Sequence, residues 1–315
     1  MASIPGYLVA YDVLSFTSAL ILAIMILTAI CSQKVYRGKA WFGMMACWLV
    51  YALSYGLLVG KQIGPEPSFA HCFVQTMFIY AAPPLVAVGT LCFYLDFYLS
   101  SCWDPSRRRS LRPVAAYILL FLPWLVHIAI DVEVIIMTVT STADPVVEKI
   151  ESNLYCHLHE NAHPGLVNAA IVILSMVMLI PLEVWTGIQL YRCRSIRVGE
   201  DFRQYLTVYL RIAACTIVAA AAFGLSAITL ADVQGDSLVQ DLSFPCLSMA
   251  VSLIFASQQD LLNVWLCRPS RYSSEDRSSP RSKTEGINLL RNKRTFQSES
   301  LDSNQWREFQ SSMPP

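Results

Sequence analysis

The sequence predicts an all-α fold, an integral membrane bundle of seven transmembrane helices with its N-terminus outside and its C-terminus in the cytosol. Three observations predict it. Of 315 residues 55% are apolar and only 15% charged, with a mean hydropathy of +0.46, against about 45–50% and about 25% in water-soluble domains. Seven stretches hold the roughly 20 mostly apolar residues that a helix needs to cross ~30 Å of hydrocarbon. The basic residues lie almost wholly in alternate connections, the pattern that orients a bundle in its membrane.

The seven segments are 8–31, 40–60, 72–102, 113–138, 165–191, 205–231 and 237–257. Ahead of the first there is no basic residue, and Lys34, Arg37 and Lys39 follow it closely. That flank anchors its amino end outside and does not fit a cleaved leader. The third segment carries Pro83 and Pro84, the fourth Pro123, the fifth Pro181 and the seventh Pro245, each removing a backbone donor and inviting a kink. The sixth holds the alanine run 219–222 with Gly224, small residues suited to close helix packing.

Charge placement supports this order. The total is zero, 23 basic against 23 acidic residues, so no global field recruits nucleic acid. Connections 32–40, 103–112 and 191–211 with the tail hold 21 of the basic residues, leaving Lys61 and Lys149 for the opposite side. The residues divide into a transmembrane domain, 1–267, and a tail, 268–315, whose Ser-rich polar composition predicts disorder. Ser110, after a run of three arginines, and Ser278 and Ser279 beside Pro280 suit basophilic or proline-directed kinases.

Sorted by depth, eight of the ten cysteines fall within helices or at the cytosolic boundary, leaving Cys72 and Cys156 on the oxidising side. If a bridge forms, these are its partners; the alternative is two free thiols. His157, His159, Glu160 and His163 follow Cys156, but their spacing matches no zinc signature, so they read as a polar loop and no metal or cofactor is expected. Cys267 follows Leu261, Leu262, Trp265 and Leu266, an apolar set suited to a short helix on the inner leaflet, and palmitoylation of Cys267 is the matching expectation, with an inert cysteine the alternative.

Ionisable groups at membrane depth usually face a cavity or a partner. Here they are Asp12, Asp96, Asp131, Glu133, Glu183 and Arg211, with His127. His127 and Asp131 are four apart and share a helix face. With Asp12 they would line an outward pocket for a polar or cationic ligand, unless Asp12 and Glu133 only sit at headgroup level. Asp96 lies 24 residues after Cys72, hence ~36 Å deeper. An Asp96–Arg211 or Glu183–Arg211 pair would join the cytosolic ends of three segments as a switch; snorkelling of Arg211 is the alternative.

Seven segments, an outside amino end, a Cys opening the third segment with another in the next long outer connection, and a Ser-rich tail together resemble the G-protein-coupled receptors. Where rhodopsin-like members carry Asp-Arg-Tyr, this chain reads Asp96-Phe97-Tyr98. The resemblance implies a switch role for Asp96 and Tyr98, while the missing Arg withholds the family's contact with the G protein. The sixth segment lacks Cys-Trp-x-Pro, and the seventh ends Phe255-Ala256-Ser257-Gln258-Gln259-Asp260 in place of Asn-Pro-x-x-Tyr. That ending resembles seven-helix proteins of fungi.

The resemblance implies a divergent receptor that detects an extracellular ligand and couples to a heterotrimeric G protein, and the carboxyl end Ser-Ser-Met-Pro-Pro, with no retention motif, points to the plasma membrane. A retinal-based pump is excluded, since no lysine lies between Lys149 and Lys283. His and acidic residues do not converge as in a membrane hydrolase, so no enzyme is expected. A seven-helix transporter using Asp131, His127 and Glu183 as a proton path is the remaining alternative.

Overall fold

The structure, a computed structural model, describes residues 5–32, 35, 37–63, 67–102, 108–141, 146–149, 154–158, 163–193, 200–231 and 237–267. Among them are seven long helices, one in each expected segment: α1 Gly6–Cys31, α2 Lys39–Gly56, α3 Phe69–Cys102, α4 Arg108–Thr140, α5 His163–Cys193, α6 Glu200–Ala231 and α7 Ser237–Ala256. An eighth, α8 Gln259–Trp265, follows at an 81° bend. By length and composition α1, α3, α4 and α5 can each cross a membrane, and α7 with α8 makes a fifth candidate, one span broken at the bend. The chain divides into residues 1–267 and 268–315; the tail, with Ser278 and Ser279, lies outside the described residues.

Two features depart from the expected elements. α2 ends at Gly56 rather than near residue 60, because the chain turns over 57–60 and closes at Gly60 with φ +83°, a left-handed conformation that favours glycine. Between α4 and α5 stand two short strands, β1 Val147–Lys149 and β2 Cys156–Leu158, paired antiparallel with Val147 opposite Leu158 and Glu148 opposite His157. The period of two turns Val147, Cys156 and Leu158 inward and leaves Glu148 and His157 at the surface side. Three residues per strand are too few to announce themselves by alternation in a sequence.

α3 lies at the centre, packed against α2, α4 and α5, while α1 packs on α2 and α7, and α6 on α7. The main core joins Leu22 and Met25 of α1, Met44, Trp48 and Tyr51 of α2, Leu85 and Tyr94 of α3 and Val251 and Phe255 of α7. A smaller core beneath the hairpin gathers Leu58, Cys72, Ala81, Ile130 and Val134 around Val147, Cys156 and Leu158. The prolines inside α3, α5 and α7 do not end those helices.

The outer surface is as apolar as the core. Val13, Phe16, Leu20 and Leu27 on α1, Phe121, Leu125, Ile128 and Val132 on α4, and Leu174, Val177, Val184 and Trp185 on α5 all face outward. Faces of that extent are incompatible with water and fit a helical membrane protein.

Candidate functional site

The hairpin is fastened over one end of the bundle by contacts to three parts of the chain: α3, α7 and the turn after α2. Cys72 at the start of α3 forms a disulfide with Cys156 of β2, Cα atoms 5.5 Å apart. Gln75, one turn along α3, accepts the Cys156 amide at 3.2 Å. Lys149 of β1 donates to the Gln62 carbonyl at 3.4 Å, and the Gln62 side chain donates to Asp12 of α1 at 2.8 Å. Tyr155, beside the disulfide, donates its hydroxyl to Asp241 Oδ1 of α7 at 2.8 Å.

Beneath Tyr155 lies a cluster of tyrosines. Tyr55 of α2 stands at its centre, stacked on Phe244 of α7 at 5.4 Å, 4.9 Å from Tyr51, 6.4 Å from Tyr11 and 6.5 Å from Tyr155. Asp241 is 2% exposed. Burial first, and then the Asp241 carboxylate, push the Tyr155 hydroxyl well above the usual phenol range, so it stays a donor under ordinary conditions. Two buried oxygens of α1, Tyr11 Oη and Ser15 Oγ, have no hydrogen-bond partner among the described residues. One turn beyond, Ser18 Oγ and Ser248 Oγ of α7 are 2.9 Å apart. A carboxylate walled by aromatic faces complements a cation or another donor group.

At the opposite end α7 is held again. Arg37, between α1 and α2, donates to Gln258 Oε1 and Asp260 and lies 5.5 Å from the centre of the Trp41 ring. Arg211 of α6 donates to the Ser257 carbonyl at 3.1 Å, and Trp265 of α8 donates to Thr28 of α1 at 2.9 Å.

No protein-family model matches this chain, and no curated protein matches it.

The predicted site residues are therefore placed by geometry alone. His127 and Asp131 do meet, at 3.5 Å, in contact with Phe78 and Trp124. Asp12 does not join them. Asp12 belongs to α1, which packs on α2 and α7, and it accepts from Gln62 in the segment after α2, whereas α4 packs chiefly on α3. The Arg211 switch pairs are also corrected: Arg211 reaches the Ser257 carbonyl freed where α7 ends, while Glu183 accepts from Thr216 of α6 at 2.6 Å. Asp96 and Tyr98 lie half-buried near the far end of α3.

Cys267 lies two residues past the end of α8, exposed, with φ +49°. Ser110 falls in the first turn of α4. Sequence reasoning passed over Tyr11, Tyr55, Tyr155 and Asp241, and over Arg37 with Asp260. One signal pointed to Asp241, an acid four residues before a proline inside an apolar segment.

Proposed function

We propose that this protein is a seven-transmembrane receptor, similar in plan to the G-protein-coupled receptors, which senses an extracellular ligand at the hairpin end and signals to a heterotrimeric G protein at the α8 end. One observation carries the reading: α7 is jointed by polar contacts at both ends, Asp241 to Tyr155 and the 257–260 turn to Arg37 and Arg211. The two joints are 16 residues apart, ~24 Å of helix, with Pro245 between them. A ligand that competes with Tyr155 for Asp241 changes the load on α7, and that helix ends in the groups that hold α1, α6 and α8 together. The sequence places 21 of its 23 basic residues in alternate connections and the tail, which supports a cytosolic side for those segments and gives an acidic partner surface its complement. The plasma membrane is the proposed address.

The test is nucleotide exchange on heterotrimeric G proteins by the protein in nanodiscs. The expected result is basal exchange above empty discs, raised in Asp241→Asn and lowered in Arg37→Gln. Exchange no faster than empty discs with all three proteins, across the G-protein classes, defeats the proposal.

A second reading, a proton-coupled transporter of a small solute, is favoured by the buried Glu183–Thr216 pair between α5 and α6. It predicts solute-dependent proton flux into sealed vesicles that Glu183→Gln abolishes.

A further inference from the structure

Histidine gathers at the hairpin end, and there it meets carboxylates repeatedly. His163, the first residue of α5, places Nδ1 2.8 Å from Glu133 Oε1 of α4. His157 of β2 lies 3.6 Å from Glu148, its cross-strand partner on β1. His127 lies 3.5 Å from Asp131 one turn along α4. The first pair joins the two helices between which the hairpin hangs, and the second joins its two strands. We propose that this end of the molecule is a proton-binding site, in which protons taken up by His157 and His163 clamp the hairpin over the tyrosine cluster.

The chemistry follows from what a proton does to such a contact. Neutral imidazole beside a carboxylate is a dipole beside a charge; imidazolium beside it is an ion pair with a charge-assisted hydrogen bond. Both pairs reach water, with His163 61% and His157 33% exposed on their side chains, so protons exchange freely and each pair contributes only modestly. Their leverage comes from position. The hairpin is already tied to α3 by the disulfide, and Tyr155 ties it to α7, so tightening its frame fixes the side chain that occupies Asp241.

The surrounding charges leave this sign intact. On β1, Lys149 turns to the Gln62 carbonyl. From α3 the Tyr80 hydroxyl meets the Leu158 backbone and Gln75 meets Cys156. On α4 the neighbouring groups are Glu133, Asp131 and His127, and on α7 Asp241. His159, Glu151 and Glu160 lie outside the described residues. Because the added proton supplies the charge that the carboxylates hold, the proposed clamping strengthens as pH falls.

The inference depends on the hairpin geometry and not on the receptor reading, so its test needs neither ligand nor G protein. Hydrogen exchange of peptides spanning 146–158 is measured on the full chain in nanodiscs at about pH 5.5 and about pH 8, corrected for the chemical rate. The expected result is protection three- to tenfold greater at the acidic pH, given the ordinary worth of exposed pairs. That difference disappears in the double variant His157→Gln/His163→Gln and equally in Glu148→Gln/Glu133→Gln. It survives in His71→Gln, whose ring meets the Leu57 carbonyl and no carboxylate. Equal wild-type protection at the two pH values overturns the proposal, and this measurement requires no variant to fold. Retention of the difference in either double variant overturns it too, because a pair needs both members.

Discussion

Tyr155→Phe keeps the ring that faces Tyr55 and removes only the hydroxyl that donates to Asp241. The buried carboxylate is left one donor short, a loss of about 1–3 kcal/mol, read as a lowered midpoint in thermal unfolding of the detergent-solubilised protein. An unchanged midpoint means the hydrogen bond between hairpin and α7 bears no load. Gly187 tests a different contact: a Cβ there would stand 2.5 Å from Tyr209 Oη of α6 and 3.1 Å from Cζ. Gly187→Ala therefore displaces the Tyr209 side chain beside the Glu183–Thr216 bond, a loss of about 1 kcal/mol where the ring can swing aside. Its control, Gly165→Ala, meets nothing within 4 Å and should leave the midpoint in place.

Among the elements, the hairpin invites the cleanest experiment. Its bridge closes a separation of 84 residues, which on the chain-entropy account restricts the unfolded chain by on the order of 4 kcal/mol. Cys72→Ser, Cys156→Ser and the double replacement should lower surface expression to the same extent, since either single change already removes the bond. A double variant markedly worse than both singles would show separate roles for the two thiols. At the other end, Arg37→Gln, Asp260→Asn and their combination form a cycle in which the double variant is no less stable than the worse single. Additive losses would mean that the two side chains act independently.

These elements also show what the sequence exposed and what it hid. Long apolar segments announced seven helices, because one-dimensional hydropathy and helix length are the same information when the solvent is lipid. Cys72 and Cys156 emerged from depth alone, and α8 from the spacing of Leu261, Leu262, Trp265 and Leu266. The Tyr155–Asp241 and Arg37–Asp260 contacts did not, for each joins residues far apart in the chain, 86 and 223 positions respectively. Nothing local distinguishes such an acid from one bathed in water. Asp12 failed as a pocket residue for a related reason: depth places a residue at a level of the bundle, but only packing decides which neighbour stands beside it.

On the scale of the whole molecule, the proposal of seven crossings makes a statement about its two ends. An odd number of spans puts an amino-terminal and a carboxyl-terminal tag on opposite sides of the membrane, with the latter protected from protease added outside intact cells. Both tags becoming accessible together on the outside would remove the topology, and with it the assignment of hairpin and α8 ends to ligand and G protein.

α5 turns most of its described length away from the other helices, and Trp185 stands outward on that face, 55% exposed, while Trp41 and Trp48 are shut inside at 4% and 5%. That contrast supplies an intrinsic optical probe. Bromine atoms attached to acyl chains at chosen carbons dim only indoles that touch them, so the part of the emission missing in Trp185→Phe should be extinguished by mid-chain bromolipids while the light from the two interior rings persists.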